Sequence, residues 1–494
     1  MSATSAPANP LPRTRRWPGR QLAAAVVVTA GWLLGQQYVT PNKRVVPVMA
    51  GLLISGLAWR VGMAAGLGVL VLTLPYPRGT TFGNTNLALI LVLLIIWLLR
   101  ITQRQSPLPR RTPVDIPIVG LLIMYMLSFY NVHEQFHLEH GLQNAELFLG
   151  AVLMFYLIVN NLRRTEDLQR LHGFMIISAL TIFGLGVYEL NHPAAVFVPG
   201  WIDFTYTVGT EFNTRNVRIG SAFHDFELLS EYCATTILLV VFLFVRARSL
   251  NRRVFYGGML VLNAFVLFAT VTRGAFIALA IGVLYLLWMT RRHLRFVPLT
   301  IAAVTVVVGF LSMNYFVGHY TRSGDLMERM FQTHVVHGWI PDDRADTWPN
   351  AFGRAMVHPL LGGGPSYADI PGYKFWWPHN VYLFYANLIG FPGALLFIWL
   401  LFRMARITRP PVDSLTHPDY ARSFLIVCRA QLVVFAINEV KIDYLRNPIY
   451  LFPVWVMFAM WTATSMIARA TPTLAALPAT APVAPALQQR AAGQ

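Results

Sequence analysis

Trp376-Trp377-Pro378-His379-Asn380 closes a long polar stretch and opens an apolar one. A neutral imidazole at such a junction can accept a proton, or a hydrogen bond from a hydroxyl, near neutral pH. The alternative is an interfacial or helix-capping histidine with Trp376, Trp377 and Tyr382 forming an aromatic belt. Two arginines stand in other turns. Arg218 lies in Arg215-Asn216-Val217-Arg218-Ile219-Gly220-Ser221-Ala222-Phe223, just before an apolar run, and Arg273 lies in Thr272-Arg273-Gly274, between two such runs. Each could snorkel to headgroup phosphate. Together they could converge on one phosphorylated substrate, because guanidinium is always charged and presents a planar fork to phosphate oxygens.

Arg344, in Asp343-Arg344-Ala345-Asp346, heads an amphipathic run to about Met356. It could order its loop by pairing with Asp342, Asp343 or Asp346, or it could contact substrate. Gly362-Gly363-Gly364 could cradle an anion with backbone N–H groups or serve as a flexible turn; no Lys-Ser/Thr follows it as in a phosphate-binding loop. His334, His337 and His358 are weaker candidates with nothing to anchor them. Arg429, inside an apolar run, needs a partner, and Glu439, Lys441 and Asp443 near the end of that run suggest structural ion pairs. Cys233 and Cys428 sit in apolar runs as small hydrophobes. No metal-ligand spacing such as CxxC or HExxH occurs.

The elements that must position these residues are membrane helices. Of 494 residues, 55% are hydrophobic and only 12% charged, too little charge for a soluble surface of this size. Apolar runs of bilayer-spanning length recur throughout and exclude a β-barrel, whose strands are shorter and alternate. The net charge of +17 is not gathered with aromatics on one basic face, so no nucleic-acid partner is expected. Candidate spans are 21–39, 45–59, 61–75, 86–100, 115–131, 146–160, 168–190, 226–247, 254–271, 274–290, 296–316, 379–401, 421–440 and 448–468. The short pair 45–59 and 61–75 could be a hairpin, a re-entrant segment or one kinked helix, which sets the expected count at 12–14.

With the N-terminus inside, 25 of the 39 Lys and Arg residues fall on the inner side and 13 on the outer. The inner ones cluster at span ends, as the positive-inside bias requires. Arg218, Arg273, Arg344 and His379 then share the outer side. The layout is a basic cytoplasmic N-terminus (1–20) leading into an uncleaved signal anchor, N-terminal helices (21–190), an outer loop (191–225), central helices (226–316), a larger outer loop (317–378), C-terminal helices (379–468) and a disordered Ala/Pro-rich cytoplasmic tail (469–494).

In order, Arg218-x-Gly220-Ser221-Ala222-Phe223, Thr272-Arg273-Gly274, Asp343-Arg344 with Trp348, His358-Pro359-Leu360-Leu361-Gly362-Gly363-Gly364, and His379-Asn380 with Gly390-Phe391-Pro392-Gly393 resemble the O-antigen ligase/polymerase superfamily over roughly residues 200–400. One departure stands out. Where the family often carries a Pro-Asn pair after the phenylalanine, this chain has His224-Asp225-Phe226-Glu227. The resemblance implies an all-α polytopic fold of GT-C-like architecture with about 12 transmembrane helices. It implies transfer, with inversion and without metal or other cofactor, of a glycan from undecaprenyl diphosphate in the periplasm. For a ligase the acceptor is lipid A–core, for a polymerase a second lipid-linked glycan, and for a protein O-oligosaccharyltransferase a polypeptide. Carried over by motif, Arg218 and Arg273 bind the diphosphate and His379 activates or orients the acceptor hydroxyl. Arg215, Arg344, Trp377, Asn380 and Tyr382 would contact substrate. A flippase or other transporter, the rival from another class, would need charged residues along a path through the spans and internal repeats.

Overall fold

A computed structural model describes residues 45–76, 79–80, 83–192, 196–198, 202–203, 218–293, 296–320, 326–327, 335–336, 340–341, 344–444 and 448–470. The span expected at 21–39 and the tail beyond 470 lie outside these residues. The described helices are α1 (Val45–Arg60), α2 (Met63–Thr73), α3 (Thr85–Thr102), α4 (Asp115–Leu127), α5 (Gln135–Asn161), α6 (Thr165–Asn191), α7 (Phe226–Arg246), α8 (Leu250–Ala269), α9 (Arg273–Thr290), α10 (Phe296–Tyr320), α11 (Thr347–Val357), α12 (Val381–Ile407), α13 (Tyr420–Asn438) and α14 (Pro448–Ala470). Three two-stranded antiparallel ribbons, at 79–84, 196–203 and 335–341, are the strand structure among the described residues.

Among the described residues, nine helices are long and apolar enough to cross a membrane, and three shorter apolar stretches lie at Val48–Arg60, Met63–Thr73 and Asp115–Asn131. This is a polytopic membrane protein. The pair α1 and α2 is a packed hairpin, turned at Gly62, whose φ of 130° a residue with a side chain would rarely adopt. A Cβ on Gly66 would press on Ala58, so the two backbones approach closely.

Most helix ends match the apolar windows. The largest departure is α5, which begins at Gln135, eleven residues before the expected span, while α12 runs to Ile407, six past its window. The first turns of α5 are polar and carry the helix past the apolar band, an extension that a hydropathy window does not register.

The bundle is centred on α14, the most buried of the spanning helices. It packs on α5 and α13, with Trp455 and Trp461 fully enclosed. Polar side chains tie neighbours together. Gln431 of α13 donates to Thr235 O of α7 (2.9 Å) and accepts from Trp461 Nε1 of α14 (3.0 Å). Such interhelical hydrogen bonds replace the hydrophobic drive that hydrocarbon does not supply. Outward-facing residues such as Leu52, Ile116, Leu284 and Leu395 are large, apolar and exposed, as a lipid-facing surface requires.

Two of the expected inner arginines cap helix ends. Arg100 donates to Ala58 O and Trp59 O and Arg110 to Val159 O and Leu162 O, so each cation meets carbonyls at a C-terminal turn and opposes the negative dipole end. Arg246 instead ties the end of α7 to the α12–α13 connection, donating to Leu415 O and His417 O. Glu227 and Arg246 mark opposite ends of α7, about 29 Å apart along its axis. Arg246 and the basic residues that follow it therefore sit at the end of α7 opposite the site described next.

Candidate active site

The turn Arg218–Asp225 is built to enter α7. Glu189 of α6 accepts from Gly220 N (3.0 Å) and Ser221 N (2.6 Å) with one carboxylate oxygen, and Ser221 Oγ donates to Ile182 O. A 3-10 turn at Ser221–Phe223 follows, and Asp225 caps α7 by accepting from Glu227 N (2.8 Å) and Leu228 N (3.1 Å). Such a cap satisfies first-turn N–H groups that have no helical partner.

Arg218 is buried and joins this turn to the α8–α9 connection. Its Nε donates to Thr270 O (2.8 Å) and its Nη2 to Val271 O (3.4 Å) and Thr272 Oγ1 (3.0 Å), with the guanidinium over the Phe226 ring. Arg273 and Gly274 are the first residues of α9. A cleft of about 540 Å³, part of it open to solvent, is lined by Arg218, Glu227, Thr272, Arg273, Gly274, Arg344, Asn438 and Lys441, with Val271 and Ile442 as its apolar patches.

Glu227 joins this cleft to the histidine. Its Oε1 accepts from Arg344 Nη2 at 3.3 Å and its Oε2 lies 3.2 Å from His379 Nδ1. These partners are 117 and 152 residues away in the chain. Arg344 thus pairs across the site with an acid outside its own loop; Asp342 and Asp343 lie outside the described residues. The helix after Arg344, α11, takes up the amphipathic run from Thr347 and buries Trp348, whose Nε1 donates to Pro378 O (3.0 Å).

That bond fixes the residue before His379, which itself takes a left-handed backbone with φ of 46°. Asn380 caps α12 by accepting from Tyr382 N and Leu383 N, both at 3.0 Å. Val381 N donates to Glu439 O and Ile442 O, docking this helix start on the end of α13. Tyr382 OH donates to Ala436 O (2.9 Å). Trp377 stacks on Phe384 and contacts Tyr367 and Phe375. The side chains of Asn380, Tyr382 and Trp377 therefore make contacts that shape the site, while Arg218, Arg273 and Arg344 line the cleft itself. Arg215, His334 and His337 lie outside the described residues.

Three helices, α7, α9 and α12, begin at this end of the bundle. Their N-terminal dipole ends add positive potential to that of the arginines. The lining carries four cations against Glu227, a field suited to a polyanionic group such as a diphosphate. Among the described residues no group of three or more His, Cys, Asp or Glu is arranged to hold a metal ion.

The glycine run does something else. Gly362 N, Gly363 N and Gly364 N donate to His358 O, Asn387 O and Leu388 O, and Phe391 N donates to Pro359 O. At Ile389 and Gly390, α12 breaks out of helical geometry, and these bonds satisfy the carbonyls freed by the break. Gly362 and Gly390 have positive φ and lie against the backbone of Leu388 and Leu360, respectively, with no room for a Cβ. The anion-cradle reading of this run is overturned, because its three N–H groups are committed within the chain. Beside it, Arg354 of α11 is buried, donates to Ala368 O and lies over Phe375. Burial pulls its guanidinium down to about 10, with Asp369 acting against that shift.

Arg429 finds a partner within the bundle, the ring of Tyr285 on α9, 6.0 Å from the guanidinium carbon. Sequence reasoning passed over two cleft groups as site residues: Glu227, noticed there only as a departure, and Lys441, read as a structural ion pair. The signal for Glu227 was an acid in the first turn of a span, nine residues after Arg218 on the same side.

No curated protein matches the chain. The family model described as O-antigen ligase matches residues 258–398, from within α8 to within α12, and over that stretch, which holds Arg273, Arg344, the glycine run and His379, the chain is similar to that family.

Proposed function

We propose that the chain is an O-antigen ligase of the bacterial inner membrane, moving a glycan from undecaprenyl diphosphate to lipid A–core on the periplasmic side. The observation that carries this reading is the cleft. It gathers Arg218, Arg273 and Arg344 and joins them, through Glu227, to His379. The arginine end takes the diphosphate. The acceptor hydroxyl meets His379 and gives up its proton to the imidazole as its oxygen bonds to C1 of the donor sugar. The C1–O bond to the diphosphate breaks, its electron pair leaves with the phosphate oxygen, and attack from the opposite face inverts C1. Guanidinium groups stabilise that departing negative charge in a preorganised site. The positive-inside bias supports a periplasmic cleft, cytoplasmic termini and 12–14 spans in lipid.

The test uses purified protein in detergent with undecaprenyl-diphosphate glycan, with and without lipid A–core, and products resolved by size. Arg218→Ala, Arg273→Ala and His379→Ala run alongside, with and without chelator. Glycan on lipid A–core, formed in chelator and lost in the variants, is the expected result. Chain growth without acceptor would identify a polymerase. Donor binding without any product would turn the reading to transport.

A further inference from the structure

We propose that Glu227 is the positioning residue of this site, one carboxylate that holds His379 in its working tautomer and anchors Arg344 at the same time. The inference rests on the reading of His379 as proton acceptor.

A carboxylate only accepts hydrogen bonds. With Oε2 at 3.2 Å from His379 Nδ1, the proton of a neutral imidazole sits on Nδ1 and the lone pair on Nε2. In that tautomer Nε2 is the ring nitrogen that can take a proton from an acceptor hydroxyl. When that hydroxyl gives its proton to Nε2, the ring becomes an imidazolium, and its charge forms against a carboxylate already in place. Glu227 takes no proton itself. Around it stand Arg344 at 3.3 Å, Arg218, Arg273 and Lys441 in the same lining, and the start of α7, whose second residue it is. Asp225, the nearest acid on α7, turns to its own cap.

The arrangement also couples two distant segments. Arg344 comes from the loop before α11 and His379 from the turn before α12, and each ends on a different oxygen of Glu227. The His379 backbone is held from both sides, by Trp348 on Pro378 and by the Asn380 cap, so the ring has a fixed mount from which to face α7.

The experiment compares wild type, Glu227→Gln, Glu227→Asp, His379→Asn and the double variant Glu227→Gln/His379→Asn in full-length protein in detergent. Donor Kd is measured separately from kcat, with undecaprenyl-diphosphate glycan as donor and lipid A–core as acceptor. Glu227→Gln should lower kcat about 100-fold, the scale of a mispositioned general base, a larger factor than any shift in donor Kd that follows from releasing Arg344. Glu227→Asp should recover about tenfold of that loss, and the double variant should be no slower than His379→Asn, because the two act as a unit. Wild-type kcat in Glu227→Gln, or losses that add in full, would overturn the proposal. A wild type that makes no product would overturn the transfer reading and this inference with it. Should Glu227→Gln not fold, ¹⁵N-histidine spectra of the wild type decide, with the His379 signal assigned by its loss in His379→Asn. The Nδ1–H tautomer supports the proposal and the Nε2–H tautomer sinks it.

Discussion

The cleft and the glycine lock both serve the segment around α12, and they use their polar groups in opposite ways. At the lock, the N–H groups of Gly362, Gly363 and Gly364 go to carbonyls of the chain, two of them on α12 at its break. In the cleft, Arg218, Arg273, Arg344 and Lys441 face a lining in which Glu227 is the acid. A discontinuous helix leaves carbonyls that must be satisfied wherever water is scarce, and glycine is the residue whose backbone can come close enough to do it. Donors consumed by the fold build the scaffold; cationic side chains gathered on one cleft lining make a site for an anion.

The largest expected effects are on chemistry at the cleft. Arg273→Ala should cut glycan transfer about 100- to 1000-fold per folded molecule, the scale seen when one charge-stabilising donor is removed. Arg218→Ala should lose as much activity and also stability, because Val271 O loses its Nη2 donor and Thr270 O keeps Thr272 Oγ1 in place of Nε; a buried acceptor left without its donor costs about 1–3 kcal/mol. An unchanged melting temperature for Arg218→Ala would break its assignment to the fold as well as to the cleft.

At the lock the order reverses. Gly362→Ala and Gly390→Ala should each destabilise by about 3 kcal/mol, combining left-handed backbone strain with overpacking against the Leu388 and Leu360 backbones. The protein that does fold should keep its specific activity, measured per folded molecule. Gly372→Ala sharpens the point, since Gly372 has φ of 84° but an added methyl there would meet nothing within 4 Å. Only the backbone penalty, about 1 kcal/mol, should remain. The smallest effect is at the entry to α12, where Asn380→Ala removes the cap and should cost about 1 kcal/mol. A loss of activity far beyond that destabilisation would return Asn380 to the substrate side of the site.

Much of the bundle was legible because hydropathy is a local property. The starts and ends of α7, α9 and α13 fall within a residue or two of their apolar windows. The break in α12 was half legible: Gly390 and Pro392 carry a kink signal that a hydropathy window passes over, but its place shows only in the non-helical backbone of Ile389 and Gly390 and their packing on Leu360 and Gly362. Likewise the glycines at 362–364 carry the composition of an anion loop, and residue type alone does not say which acceptor an N–H will find.

The sequence by itself determined the membrane class, the principal helices, and the placement of His379 and the candidate arginines on one side, because apolar length and charge bias are sums over neighbouring residues. The tertiary structure alone decided that one carboxylate, Glu227, would lie between Arg344 and His379. That juxtaposition depends on how the entry to α7, the loop before α11 and the capped start of α12 dock against one another. Hydrogen bonds require positions within fractions of an ångström, and no pattern along the chain carries that distance.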